Sequence, residues 1–337
     1  MSLHRFCSYC DKGYVARLLC LHESLVAQGE EFVLNVLCLD EETAAVIGAE
    51  KRPSLVPIPW GELLRADSAY AALRSLRSPI EFLFTTTPVL VLHCLGRDSD
   101  ADRMTYLDAD LYFFGPASAV YREQGDASTG IVPHRFPAHL KEREQYGFYN
   151  VAWVSFRRDQ AGLAALAWWR ERCLEWCHDR VEGGRFADQG YLDEFPRRFG
   201  GVKALDHPGI NAAPWNMAGI AVTQDRGGVS VAGRPLLFYH FQGIREVAPG
   251  WFEPGLRQYR TPLNPALRKL VYEPYLQHLT RVQRRLTSEF GIAPLFRHQR
   301  LNAGASWRDR WERLKARWVL PHLGRLRGQL IEARKSG

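Results

Sequence analysis

The order of segments in residues 1–107 constrains the fold more than any other feature of this chain. Residues 3–9 read as a strand, 14–28 as an amphipathic helix stopped by Gly29, and 32–39 as a buried strand. The acidic turn Asp40-Glu41-Glu42 opens a second helix, and residues 55–58 form a short third strand. Ser78-Pro79 is a cap followed by a first-turn proline, so a helix runs from there toward Leu95, and Pro88 should kink or break it. Residues 104–107 close the series as a strand. This alternation predicts an α/β fold, a mostly parallel sheet with helices on both faces, whose ligands sit at the carboxyl ends of the strands.

The last of these strands leads into Asp108-Ala109-Asp110. If the strand continues, positions i and i+2 face one way and the two carboxylates aim at one point. Carboxylates brought together repel, and they are tolerated best when a divalent cation lies between them. Mg²⁺ or Mn²⁺ held by oxygen ligands keeps positions open for substrate phosphates.

The second half is more mixed. Residues 130–133 and 150–156 read as strands, and Asp159 as the N-cap of a long helix through Trp168, Trp169, Cys173 and Trp176, tryptophans that suit core packing. Residues 229–231 and 236–241, joined by Ala232-Gly233-Arg234-Pro235, read as a hairpin that ends at His240. Past residue 250, Pro254, Pro262, Pro265 and Pro274 punctuate the approach to basic helices. The expected division is a catalytic domain over 1–250 and a helical C-terminal extension over 251–337.

Charge separates the same two parts. Of 44 Lys/Arg and 37 Asp/Glu, residues 297–337 hold 11 and 3, leaving 33 against 34 elsewhere. A neutral body with a basic tail argues against nucleic acid as the partner of the body. In the tail, Trp307, Trp311, Leu314 and Trp318 fall on one helical stripe with Arg308, Arg310, Arg313, Lys315 and Arg317 around the rest. Such a face suits the headgroups of an anionic membrane; it also suits a stripe packed on the protein with its arginines solvated. No leader is predicted, and the apolar run 88–95 is too short to cross a bilayer. The expectation is a cytoplasmic protein with a tail suited to the inner face of the membrane. Seven cysteines without regular spacing indicate a reducing compartment. Cys7-x-x-Cys10 has its only complement in Cys173-x-x-x-Cys177-His178, which lies in a helical segment, so buried thiols are favoured over zinc.

Taken together, Asp108-Ala109-Asp110, Asp188-Gln189 and His240-x-x-Gly243-x-Arg245 resemble nucleotide-sugar glycosyltransferases of the GT-A fold. The family 8 group and bacterial enzymes of surface-polysaccharide and lipopolysaccharide assembly are most similar. The likeness spans about residues 3–250. It implies that Asp108 and Asp110 ligate Mn²⁺ or Mg²⁺ or hold the donor ribose, with His240 completing the protein's share of the coordination shell, and that Asp11 and Tyr14 hold the nucleoside. Arg245 falls where the family has a lysine on the diphosphate, with Gly243 in the same motif. Asp188 and Gln189 would address the donor sugar, Gln189 nearest the anomeric carbon. Asn150 and Asn211, the latter opening Asn211-Ala212-Ala213-Pro214-Trp215-Asn216, match less closely, in regions that shape the sugar and acceptor pockets. The implied reaction moves a sugar from a nucleoside diphosphate, UDP above all, to a glycan or lipid-linked acceptor with retention. An inverting route would need an acceptor-side base such as Glu142, Glu144 or Asp193.

Other readings use the same residues. The aspartate pair could cap a turn, His240 could be structural, and Asp188-Gln189 could begin a helix. His134 and His139 form a second cluster, read as acceptor-side or loop residues before metal ligands. A dehalogenase-type phosphatase also places Asp-x-Asp after a strand, but Tyr112 stands where Thr or Val belongs. A sugar-nucleotide pyrophosphorylase would need a glycine-rich N-terminal loop in place of Cys7-Ser8-Tyr9-Cys10. A non-catalytic sugar-nucleotide-binding protein would be expected to have lost its metal ligands, and all are present.

Overall fold

A computed structural model describes residues 3–293 and 329–333. The basic stripe from Trp307 to Trp318 lies outside the described residues.

The N-terminal series forms as expected. Strand β1 (His4–Cys10) leads to helix α1 (Val15–Val26), β2 (Phe32–Cys38), α2 (Glu41–Ala49) and β3 (Leu55–Pro59). Gly29 ends the first helical turn region with φ 71°, a value that favours glycine. Asp40 caps α2 through Thr43 N and also accepts from Lys12 N, tying two loops at one sheet end. Short helices α3 (Trp60–Ala66) and α4 (Ser68–Ala72) precede α5 (Pro79–Arg97) and β4 (Arg103–Leu107).

Helix α5 departs from expectation, because Pro88 does not break it. The Thr85 and Thr86 hydroxyls bond back to Glu81 O and Phe82 O within the turn before the proline. The helix is also held between the sheet and α7 (Gln160–Glu175), so tertiary packing outweighs the lost hydrogen bond. Its amino end is closed by its own capping box, Ser78 N donating to Glu81 Oε2, and its carboxyl end is held from outside by Arg158, which donates to Leu95 O and Asp98 O. By length and composition α5 passes as a membrane-crossing helix, longer than its apolar core of 88–95 because Phe82 and the threonines extend it; 56% of its apolar window is buried in the protein.

After β5 (Leu111–Phe113) and α6 (Ala117–Gln124), β6 (Thr129–Pro133) and β7 (Tyr149–Arg157) enter the main sheet, followed by α7, α8 (Phe195–Arg198) and β8 (Val202–Ala204). The seven strands run in the order β3-β2-β1-β4-β7-β6-β8. All neighbours are parallel except β4–β7 and β6–β7, so β7 alone is reversed. Alternate residues of each strand face opposite layers: Phe6 and Val36 pack with α1, while Cys7 and Leu37 pack with α5.

The predicted hairpin forms only at its start, where residues 229–231 pair with 234–236, and does not extend to His240. Strands β9 (Val222–Asp225), β10 (Gly228–Val231) and β11 (Arg234–Pro235) make a small antiparallel sheet. The chain then leaves it, and β12 (Phe238–His240) pairs with β5, placing His240 opposite Leu111. A partner far upstream, Leu111–Phe113, thus replaces the local one, because Phe238 and Tyr239 bury completely in the main core. Beyond it, β13 (Arg245–Ala248) and β14 (Trp251–Glu253) form a hairpin across residue 250. Helix α9 (Pro265–Leu267) leads on to α10 (Glu273–Phe290), which packs on α1, and β15 (Ile331–Glu332) adds to β14. All seven cysteines are free and buried.

Candidate active site

The two aspartates do converge, though not as strand residues. Strand β4 ends at Leu107, and residues 108–110 form a turn closed by Leu111 N donating to Asp108 O. Asp108 N is anchored on Ala152 O, where β7 bulges against β6. A bulge of this kind re-aims side chains beside a functional site. On the other flank, Phe241 N donates to Asp110 O as β12 runs past. His240 Nε2 thereby lies 3.1 Å from Asp110 Oδ1 and 3.7 Å from Asp108 Oδ2.

Ligating atoms of Asp108, Asp110 and His240 all fall within 4.8 Å of one another. Two carboxylate oxygens and one imidazole nitrogen at that separation form a donor set that fits a hard divalent cation. Burial raises Asp108 to about 6, with His240 pulling it back and Asp110 adding repulsion. Burial also pushes Asp110 upward, but the charge and hydrogen bond of His240, with help from Arg17, leave it below the usual carboxylate range. Burial disfavours charge on His240, yet Asp110 and Asp108 overcome this and raise it.

These residues floor a cleft of about 500 Å³ at the carboxyl ends of β1 and β4. One wall is the loop after β1, with Asp11 and Tyr14. Asp11 Oδ1 accepts from Gly13 N and Tyr14 N and so shapes its own turn. Tyr14 lines the cleft and is 46% exposed, and the Arg17 guanidinium lies over its ring at 4.6 Å. Arg17 also donates to Gly13 O and Ile244 O, joining this loop to the segment after His240.

The opposite wall carries Asn150, Asp188 and Gln189. Asp188 follows Ala187, a buried non-glycine residue at φ 47°, so the backbone is held in a strained conformation just ahead of it. Burial raises Asp188 to about 7; the Thr87 hydroxyl opposes this and Asp108 reinforces it. Apolar side chains of Ile80, Leu83, Phe84 and Phe186 complete this wall.

Three expected residues lie apart from the cleft lining. Gly243 and Arg245 border a neighbouring depression with Glu253 and Arg257, and Arg245, with its side chain 75% exposed, pairs with Glu253 at 3.2 Å. Asn211 is fully buried at φ 55°, donating to Pro133 O behind the site. Its carbonyl accepts from Asn216 Nδ2, next to Trp215, whose ring stands edge-on to His240. His134 is buried nearby, and burial lowers it to about 3. His139 reaches only Tyr259 O.

Sequence reasoning passed over Arg17, Gln242, Thr87 and the apolar wall. For Thr87 a signal existed: three consecutive threonines before a proline in an apolar helix place hydroxyls where only a polar partner would keep them. Arg17 and Gln242 carried no such mark.

No protein-family profile matches this chain. Uncharacterized protein YfnF of Bacillus subtilis (strain 168) is 31% identical over 293 residues, covering 85% of this chain and 95% of YfnF. Uncharacterized protein YfnD of the same strain is 27% identical over 290 residues, covering 83% and 90%. Among solved structures, galactosyltransferase LgtC in complex with donor and acceptor sugar analogues has a TM-score of 0.48 at 16% identity, over 82% of this chain and 95% of that one. Mouse xyloside xylosyltransferase 1 has a TM-score of 0.46 at 12% identity, over 72% and 98%.

Proposed function

This chain belongs to the family of YfnF, and we propose that it is a metal-dependent glycosyltransferase that uses a nucleoside-diphosphate sugar. One observation carries the reading: Asp108, Asp110 and His240 converge on the floor of a cleft whose far wall presents Asp188 and Gln189. The motif order noted in the sequence supports it.

Breaking a glycosyl–phosphate bond puts negative charge on the departing diphosphate. Asp108, Asp110 and His240 would hold Mn²⁺ or Mg²⁺, and the ion when bound neutralises that charge. The lining needs such help, because Asp11, Asp108, Asp110 and Asp188 face the cleft while, among the described residues, His240 is the one basic group in its lining. Tyr14 offers a ring face to the base, and Arg17 braces that ring from behind. Gln189 presents an amide oxygen to the positive character growing at the anomeric carbon. Asp188, buried beside it, binds sugar hydroxyls in this reading. Arg245 reaches a diphosphate only by leaving Glu253. We take UDP as the nucleotide, a glycan or lipid-linked surface-polysaccharide precursor as the acceptor, and retention as the outcome.

The test is a panel of sugar nucleotides assayed for donor hydrolysis with and without Mn²⁺ or Mg²⁺, alongside calorimetric binding of nucleoside diphosphates. Metal-dependent turnover of one donor is expected. Diphosphate binding of equal strength with and without metal would refute the ligand assignment.

We further propose that the basic tail holds the protein at anionic membranes from the cytoplasmic side. Deleting residues 300–337 is a poor test, since it removes Ile331, which is fully buried and paired with Phe252. Reversing Arg308, Arg310, Arg313 and Arg317 to Glu keeps β15 and should release the protein from phosphatidylserine vesicles with donor hydrolysis intact. Unchanged vesicle binding would defeat this part of the proposal.

A further inference from the structure

His134 has no part in the chemistry above, although the sequence singles it out together with His139. It follows β6, buried, with Phe136 stacked on its ring at 4.6 Å and Trp215 edge-on at 5.3 Å. Its polar atoms belong to a chain of hydrogen bonds in which each of three side chains is oriented by one backbone group. His134 Nδ1 lies 3.3 Å from Phe148 O. A carbonyl only accepts, so Nδ1 carries the proton and Nε2 keeps its lone pair in the neutral ring. Asn150 Nδ2 sits 3.2 Å from that Nε2 and donates to it. The Asn150 amide is oriented independently, because its Oδ1 accepts from Ala152 N at 3.1 Å. Its Nδ2 also donates to Gln189 Oε1 at 3.3 Å. The Gln189 amide is oriented independently as well, by Nε2 donating to Tyr146 O at 2.7 Å. Two amides and one imidazole thus agree in polarity along the whole chain, with no two donors or acceptors opposed.

The geometry points to His134 as a positioning residue: its neutral Nδ1–H tautomer holds Asn150, and through Asn150 the Oε1 of Gln189, at the sugar side of the cleft. What Gln189 does there rests on the glycosyltransferase reading; the relay itself does not. An oxygen that must meet developing charge is most effective when it is already in place, because no reorganisation is then left for the moment of reaction. Gly147 fits the same purpose. Its φ is 123°, and a Cβ there would stand 3.2 Å from Gln189 Cγ, so the loop carrying Tyr146 O can close on the glutamine only without a side chain.

The relay is tested on the full chain in two ways. Long-range ¹H–¹⁵N spectra of the labelled protein at pH 7.5 should show His134 as the Nδ1–H tautomer. An Nε2–H tautomer or an imidazolium would overturn the assignment, whatever the protein catalyses. In steady-state kinetics with a turned-over sugar nucleotide and Mn²⁺, His134→Ala should lower kcat at least tenfold while the Kd for the nucleoside diphosphate stays within twofold. His134→Gln, which offers Asn150 a carbonyl acceptor, should return kcat to within threefold of the original. Unchanged kcat in the alanine variant, or equal loss in both, overturns the relay. If His134→Ala does not fold, His134→Met fills the slot between Phe136 and Trp215 without an acceptor and takes its place. A wild-type protein inert toward every sugar nucleotide would bring down the glycosyltransferase reading instead, and the tautomer alone would then decide the relay.

Discussion

The two walls of the cleft are built by different means. The metal-side wall comes from the ends of β1 and β4, which are paired on both flanks, and of β12, which is paired with β5; its three candidate ligands stand on or next to ladder positions. The sugar-side wall hangs on the segment 183–190, which holds its shape through Gly183, Gly184 and Ala187 at positive φ and through long side-chain hydrogen bonds. In the proposed reading, rigid strands would fix where a cation goes, and a strained, hydrogen-bonded loop would fix how the reacting sugar is met. Changes on the first side should therefore abolish binding and turnover together, and changes on the second should lower turnover alone.

The largest effect is expected from Asp110→Asn. It removes a full ligand charge and should lower kcat at least about a thousandfold, roughly 4 kcal/mol of transition-state stabilisation. Nucleoside-diphosphate binding should lose its dependence on Mn²⁺ while the far-ultraviolet circular dichroism stays native. A variant with full metal-dependent activity would remove Asp110 from the site. Next comes Gln189→Ala, with a kcat lower by about a hundredfold and an unchanged diphosphate Kd. Loss of affinity equal to the loss in kcat would erase the distinction between the walls.

Asp188 gives the comparison a stability readout. Its folded pKa of about 7 lies above the ordinary aspartate value. Between those two pKa values the folded state keeps a proton that the unfolded chain releases, so stability falls as pH rises through the window, and the full penalty is present above it. Asp188→Asn cannot ionise. It should be more stable than the wild type at pH 8 by on the order of 2–4 kcal/mol and nearly equal to it at pH 4. Urea titrations without divalent ions measure the difference, and a variant less stable at pH 8 would mean that the carboxylate is held by partners, not merely buried. Gaining stability while losing turnover is the mark of a residue kept for function.

The sequence exposes these parts unevenly, and the reasons are physical. The N-terminal alternation is readable because strand and helix periods are local, and it places the sheet correctly. Asp108 and Asp110 stand out because two acids after an apolar strand are costly. Their convergence, however, comes from a turn and not from strand pleating. His240 was legible as a residue and not as a neighbour: the sequence pairs its strand with 229–231, whereas β5 claims it. Only burial of Phe238 and Tyr239 in a distant core decides that competition. Pro88 misleads for the same reason, since the propensity rule for an isolated helix yields when the helix is enclosed. His134 stood out only as an acceptor-side or loop residue; its place beside Asn150 was not legible, because that depends on which nitrogen faces Phe148.

Arg245 offers the smallest and sharpest test. The motif places it on the diphosphate, whereas here it stands three-quarters exposed in a pair with Glu253. Exposed pairs of this kind are worth about 0–1 kcal/mol, so the pair itself poses little barrier to a different partner. A cation fixed beside the metal-side wall is instead Arg17, which joins Gly13 O to Ile244 O and lowers Asp110 by its charge. Arg245→Ala should therefore weaken nucleoside-diphosphate binding less than about threefold, within the range of an exposed charge. Arg17→Met should weaken it more, and more for the nucleoside diphosphate than for inorganic pyrophosphate, because Tyr14 loses its support. A hundredfold loss in Arg245→Ala would reverse the order. It would mean that the β13–β14 hairpin moves onto the substrate and that the metal-side wall, too, owes part of its chemistry to a mobile segment.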